Sequence, residues 1–183
     1  MSEKTIVRYG APTLAGIKTG NLFSAPCQSR REIIRQIASI NRVLVPKGLR
    51  LIPLRFKGGR VLLYLYRPSR LKKDLSDLNA AEILKEAGYT DTAVSGCLAR
   101  LIRRLNENEQ FPHEIGLFLS YPPEDVRGFI ENKACGCKCS GCWKVYGDAD
   151  AARWLFERYN KCTNVYCRHW EDGATVERLA VSV

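Results

Sequence analysis

Two strand-length runs, Leu49 to Phe56 and Val61 to Tyr66, flank the pair Gly58-Gly59. A glycine pair tolerates the positive φ angles that a tight hairpin turn needs, so this stretch is committed to an antiparallel ribbon. Pro53 cannot donate to a ladder, which sends the first strand to a sheet edge or a bulge. Ahead of the ribbon, Ser29-Arg30-Arg31-Glu32 reads as a capping box. Ile33, Ile37, Ile40 and Leu44 then recur at helical spacing, with Ile34 widening the stripe, until Val45-Pro46-Lys47-Gly48 stops the helix.

Helices dominate the middle of the chain. Asn79-Ala80-Ala81-Glu82 reads as a second capping box, with Gly88 as the stop. Asp91 or Thr90 caps a longer helix carrying Val94, Leu98, Leu101, Ile102 and Leu105, and Cys97 falls on its apolar face as a buried thiol. Ile115 to Leu119 reads as a buried strand. Pro122-Pro123-Glu124-Asp125 starts a helix, because proline suits the first turn and acids favour its positive end. Trp143 to Tyr146 reads as a short strand, and Asp148 as the cap of a helix carrying Ala151, Trp154, Leu155 and Tyr159. The residues after Glu171-Asp172-Gly173 fit strand or helix equally. This alternation gives an α+β fold. It is a single mixed domain over residues 1–183, with a basic helix–hairpin segment over 28–73 and a Cys-rich segment over 135–169; a length of 183 residues suits one domain.

With 45% apolar and 26% charged residues, the chain is neither disordered nor collagen-like. No apolar run approaches the roughly 20 residues of a membrane span, and no secretory signal is convincing, so the expected setting is the cytoplasm without a membrane partner. Eight cysteines in a reducing compartment are buried, metal-bound or redox-active rather than a disulfide framework.

The net charge of +10 is unevenly spread. Between Gln28 and Lys73 stand 13 Lys or Arg against a single acid, Glu32, while the remainder holds 16 basic and 18 acidic residues. Arg55, Lys57, Arg60, Arg67 and Arg70 flank a hairpin that carries Tyr64 and Tyr66, a combination of phosphate-neutralising cations and stackable rings. The segment is open to three readings: a nucleic-acid site centred on Arg55, Lys57 and Arg60, a docking face for an acidic protein, and a solvated basic surface. Tyr64 and Tyr66 share a sheet face with Leu62, which reads as a core face. No motif of a known nucleic-acid module, phosphate loop, dinucleotide fold or serine hydrolase is present.

Cys135-Gly136-Cys137-Lys138-Cys139-Ser140-Gly141-Cys142 is the densest chemical signal. Four thiols within eight residues suit a soft metal, zinc or iron, and Cys139 and Cys142 have the spacing of a zinc knuckle. Cys162, Cys167 and His169 are candidate further ligands. The alternative is a Gly-rich loop of reduced thiols. A thioredoxin-like dithiol is disfavoured, because Cys142 runs into the strand-like Trp143-Lys144-Val145-Tyr146 rather than into a helix. His113 reads as a general base, a haem or metal ligand, or an ordinary hydrogen-bonded histidine. Its neighbour Glu114 reads as a structural partner for backbone or arginine.

Three separated stretches resemble a bacterial family known as domain of unknown function 3793. They are Ala11-Pro12-Thr13-Leu14-Ala15-Gly16-Ile17-Lys18, the long run from His113 to Phe129, and Trp143-Lys144-Val145-Tyr146 followed by an acidic helix start. The hallmark positions map onto His113, Glu114, Tyr121, Gly128, Phe129, Trp143, Lys144 and Tyr146. The resemblance implies a cytosolic protein of anaerobic Firmicutes with no established activity, and similar genes near iron-uptake or flavodoxin genes point to metal homeostasis. Three functions therefore stand as expectations. The first is binding of a soft metal or iron-containing cofactor through the cysteines. The second is nucleic-acid or phosphate binding by the basic half. The third is an enzyme pocket around His113, Glu114, Tyr121 and Trp143.

Overall fold

The structure is a computed structural model that describes residues 2–107 and 110–182. The chain divides into two compact units, Met1–Ser69 with Tyr159–Val183, and Arg70–Arg158. Within them the fold is mixed α+β.

The first unit opens with α1 (Glu3–Leu14), β1 (Gly20–Pro26), α2 (Arg30–Leu44), β2 (Arg50–Lys57) and β3 (Arg60–Tyr66). Its antiparallel sheet has the order β1-β3-β2, with Gly20 opposite Tyr66 and Pro26 opposite Arg60. The β2–β3 turn is made by Gly58 and Gly59, at φ +56° and +67°, the left-handed values that glycine adopts without strain. Pro53 lies on edge strand β2, where the register shifts between Pro53 and Arg55. Ser29 caps α2, its Oγ accepting the Glu32 amide at 3.4 Å, while the Glu32 carboxylate accepts from Gln36 Nε2 at 3.0 Å. Ile33, Ile37, Ile40 and Leu44 join Ile6, Val7 and Leu14 of α1 and Val61, Leu63 and Leu65 of β3 in one core. Asn41 fixes α2 to β2 by pairing both ways with the Leu51 backbone, at 2.8 and 2.9 Å.

One reading of this unit needs correction: Arg67 is not one of the surface cations beside the hairpin, since it is 1% exposed. Its guanidinium donates to the carbonyls of Thr13 and Leu14 at 2.8 Å, Val181 at 2.7 Å and Lys47 at 3.3 Å. Thr13 and Leu14 sit at the negative end of α1, where a cation is favoured. The rings of the ribbon keep to the core face that their alternation implies. Tyr64 and Tyr66 are buried and stack on each other at 4.8 Å, so they offer no face to a nucleobase. Burial pushes the Tyr66 hydroxyl pKa up, with Arg50 acting the other way.

The chain continues with α3 (Pro68–Leu75), α4 (Leu78–Glu86), α5 (Val94–Glu107), α6 (Ile115–Phe118), α7 (Pro123–Glu131), β4 (Cys139–Ser140), β5 (Lys144–Val145), α8 (Ala149–Glu171) and α9 (Val176–Leu179). Gly88 terminates the α4 region with φ +81°, and Cys97 is buried on α5 as its spacing implies. The α4 cap is Asp77 rather than Asn79: its Oδ1 accepts from Asn79 and Ala80 amides at 2.9 and 3.1 Å. Ile115 to Leu119 is not a strand. Its amides turn back onto the preceding loop, Leu117 N–H reaching Glu114 O at 3.0 Å, and α6 forms one helical turn buried on every side. A short run buried all round carries no usable period, which is why strand and helix look alike there. The strand reading of Trp143 to Tyr146 narrows to β5, which pairs with β4 and not with the residues around Ile115. Asp148 caps α8 as expected, accepting from Asp150 and Ala151 amides at 3.0 Å. Trp154 on that helix is exposed rather than packed. Of the ambiguous final residues, Val176–Leu179 form α9, and the described residues on either side of it are neither helix nor strand.

Candidate functional site

Asp125 organises one end of the second unit. It sits in the first turn of α7, 3% exposed, and its side chain looks across to the β4–β5 hairpin. Oδ2 accepts the Trp143 indole N–H at 2.6 Å, and Oδ1 accepts the Tyr146 and Gly147 amides, each at 2.7 Å. A carboxylate accepting three N–H groups is well satisfied although buried. Trp143 so held stacks on Tyr121 at 4.8 Å and meets Phe156 edge-on at 4.5 Å. The Tyr121 hydroxyl donates to Cys142 O at 3.1 Å and ties the α6–α7 turn to the hairpin.

These contacts leave a cleft of about 280 Å³ between α6, α7 and the hairpin. Phe111, Tyr121, Phe129 and Trp143 give its aromatic surface, with Ile115 and Val126 beneath and His113, Ser140 and Lys144 as polar groups. His113 is exposed and packs against the Phe129 ring at 5.0 Å. Lys144 donates from Nζ to Ala134 O at 2.6 Å, bracing a stretch in which Lys133 and Ala134 both adopt positive φ. Five of the eight hallmark positions — His113, Tyr121, Phe129, Trp143 and Lys144 — thus line one cavity. Gly128 and Tyr146 lie just behind it, packed so closely that a Cβ on Gly128 would meet Tyr146 Cγ at 2.5 Å.

Glu114 is elsewhere. It is 3% exposed and accepts from Tyr89 at 3.0 Å, while Arg104 Nε pairs with it at 2.6 Å. Burial and the adjacent carboxylate push the Tyr89 hydroxyl far above its ordinary range. The arrangement is a structural ion pair joining α5 to the α6 turn. Asp125 and Phe111 carry no site signal in the sequence: Asp125 reads only as a helix-start acid, and nothing in the pattern singles out Phe111.

None of the eight cysteines is paired in a disulfide. Cys135 and Cys142 are exposed, Cys137 and Cys139 half-buried, with Cys139 in β4 and Cys142 in the hairpin turn. The Tyr146 hydroxyl, buried without a hydrogen-bond partner among the described residues, is pushed up in pKa by burial and by Cys137 and Cys135 nearby. Cys162, Cys167 and His169 lie on the part of α8 that belongs to the first unit. Among the described residues, no group of three or more His, Cys, Asp or Glu is arranged to hold a metal ion. Nor, among them, is any helix long and apolar enough to cross a membrane.

The basic residues gather in the first unit. By side chains it holds 16 Lys or Arg against 5 acids, a net of +11, while the second unit holds 13 against 14, a net of −1. Arg55 is half-buried in β2, and Lys57 and Arg60 are exposed at the hairpin turn. Arg60 also donates to Ser24 Oγ at 2.8 Å.

The chain belongs to the family described as "Protein of unknown function (DUF3793)", whose model matches residues 6–180. No curated protein and no solved structure matches it.

Proposed function

We propose that the second unit is a binding module for a small, flat, largely apolar molecule bearing an anionic group. The observation that carries this reading is a single concave cleft lined by four aromatic residues together with His113 and Lys144. Pockets of this size and lining favour ring-shaped ligands, whose bodies replace water on the aromatic walls. His113 and Lys144 supply the polar end. His113 is free to donate to a carboxylate, sulfonate or phosphate, and Lys144, on the same lining, adds positive charge. Asp125 also lines the cleft, but its oxygens are taken up by the Trp143 indole and the Tyr146 and Gly147 amides, so its role is to hold Trp143 and the hairpin at the wall.

The test uses anilinonaphthalene sulfonate, a flat anionic fluorophore. Saturable binding with one equivalent per chain is expected, and Phe129→Ala and His113→Gln should each weaken it about tenfold, or about 1.4 kcal/mol. Binding left unchanged by both substitutions, in protein with a native circular dichroism spectrum, would remove the cleft as the site. The soft-metal reading of the cysteines has no comparable gathering of side chains behind it. Its test is metal content in protein purified without oxygen, where about one zinc or iron per chain would support it.

A further inference from the structure

In the first unit, α2 buries Ile33, Ile37, Ile40 and Leu44 on one side and leaves the other side to solvent. The solvent side carries Arg31, Ile34, Arg35, Ala38 and Arg42, all exposed. At 3.6 residues per turn these five fall within about 100° of one another, and Arg31 to Arg42 spans about 16 Å along the axis. Glu32, the one acid of α2, falls outside this stripe and is engaged by Gln36. The start of α2 adjoins the β2–β3 turn: Arg30 packs over the Phe56 ring at 4.8 Å, and Arg30, Lys57 and Arg60 line a recess of about 230 Å³ with Gly58 and Gly59. Six cations therefore follow a continuous path from the hairpin tip along the helix. None of Arg31, Arg35, Arg42 or Lys57 forms an ion pair among the described residues.

We infer that this path is a docking surface for the phosphate backbone of duplex DNA. The charge favours a polyanion, and five of the six cations are arginine, whose planar fork matches phosphate oxygens. The rings favour a duplex over an unpaired strand. Single-strand binding relies on bases stacking on open aromatic faces, yet Tyr64 and Tyr66 are buried and Phe56 is covered by Arg30. A duplex presents about one charge per 1.7 Å of axis and needs no base contact to be held. The contact is therefore sequence-independent and strongly salt-sensitive.

The experiment is fluorescence anisotropy of the full chain with a labelled mixed-sequence DNA duplex. Neutralising about six phosphates predicts a loss of about a thousandfold in affinity between about 50 and 200 mM salt. The triple variant Arg31→Gln, Arg35→Gln, Arg42→Gln keeps good helix formers on an exposed face. It should bind more weakly and lose only about 40-fold over the same salt range, because about three fewer counterions are released. The pair Lys57→Gln, Arg60→Gln tests the hairpin end independently, and Arg153→Gln in the second unit should leave binding unchanged. The inference is overturned by no binding at the lower salt, by an unaltered salt slope in the triple variant, or by polyglutamate competing as well as unlabelled duplex. The last result would mark the surface as a seat for an acidic protein.

Discussion

The indole N–H of Trp143 points at a carboxylate oxygen of Asp125, 2.6 Å away and out of solvent. Asp125→Asn keeps the shape but places an amide where an acceptor is required. With the other oxygen still serving the Tyr146 and Gly147 amides, the new NH2 group faces the indole donor. A loss of about 2 kcal/mol or more is expected in urea unfolding, the scale of a buried donor left unmade. Adding Trp143→Phe removes that donor, so the double variant should lose less than the sum of the two single losses. Strict additivity would mean that the pair is not coupled.

Arg67→Met should cost about 3 kcal/mol, because carbonyls from α1, the turn after α2 and the segment after α9 lose their donor together. Arg67→Lys preserves charge but not the fork, and should recover only part of the loss. Denaturant midpoints decide it; a change below about 0.5 kcal/mol in Arg67→Met would show that water replaces the guanidinium without penalty.

Gly128→Ala sets two effects against each other. Within a helix, alanine is favoured over glycine by about 1 kcal/mol. Here the added methyl would collide with the Cβ and Cγ of Tyr146, the inner part of a side chain that cannot swing away. Overpacking of this kind costs about 1–3 kcal/mol, so the melting temperature should fall rather than rise.

Native thiol titration should proceed in order of exposure. Cys135 and Cys142 react first, and Cys97 last, since burial and Asp91 raise its pKa and suppress the thiolate. Mass mapping of the labelled peptides reads the order directly. If added zinc protects Cys135, Cys137, Cys139 and Cys142 together, the soft-metal reading gains its ligands; zinc without effect on their rates counts against it.

Asp148 carries a pH signature. Its pKa is lowered by the backbone amides of Ala151 and Asp150, so the cap is fully present above the ordinary carboxylate range and is lost as pH falls through the native value. Asp148→Asn should be less stable than the parent near neutrality. That difference should shrink in acid, in paired unfolding curves. A difference that stays constant with pH would separate the cap from its charge.

Where one face of an element is wet and the other dry, the sequence was readable. The α2 stripe, the Gly58-Gly59 hairpin, the edge position of Pro53 and the Asp148 cap all announce themselves through period or turn chemistry. Helix α1 did not, because Gly10, Pro12 and Thr13 break its apolar pattern while packing supplies the burial that propensity lacks. Strand β1 is equally without a clear pattern. The α6 turn reads as a strand because it is buried all round. At the site, His113 is a candidate by residue type as well as by family resemblance, whereas Tyr121 and Trp143 become site candidates through the resemblance. Asp125 was visible only as an acid near a helix start, since nothing local says that its partners lie some twenty residues downstream.

The sheet order β1-β3-β2 has a kinetic corollary. The β2–β3 ribbon closes across two glycines and can form within microseconds, whereas β1 must return across the whole stretch from Cys27 to Gly59 to find the other edge of β3. Loop closure on that scale is repaid only once α2 has condensed on the ribbon. Helix and ribbon together are therefore the expected nucleus, with β1 the last strand to lock, an order that pulsed hydrogen exchange reads as late protection of the β1 amides.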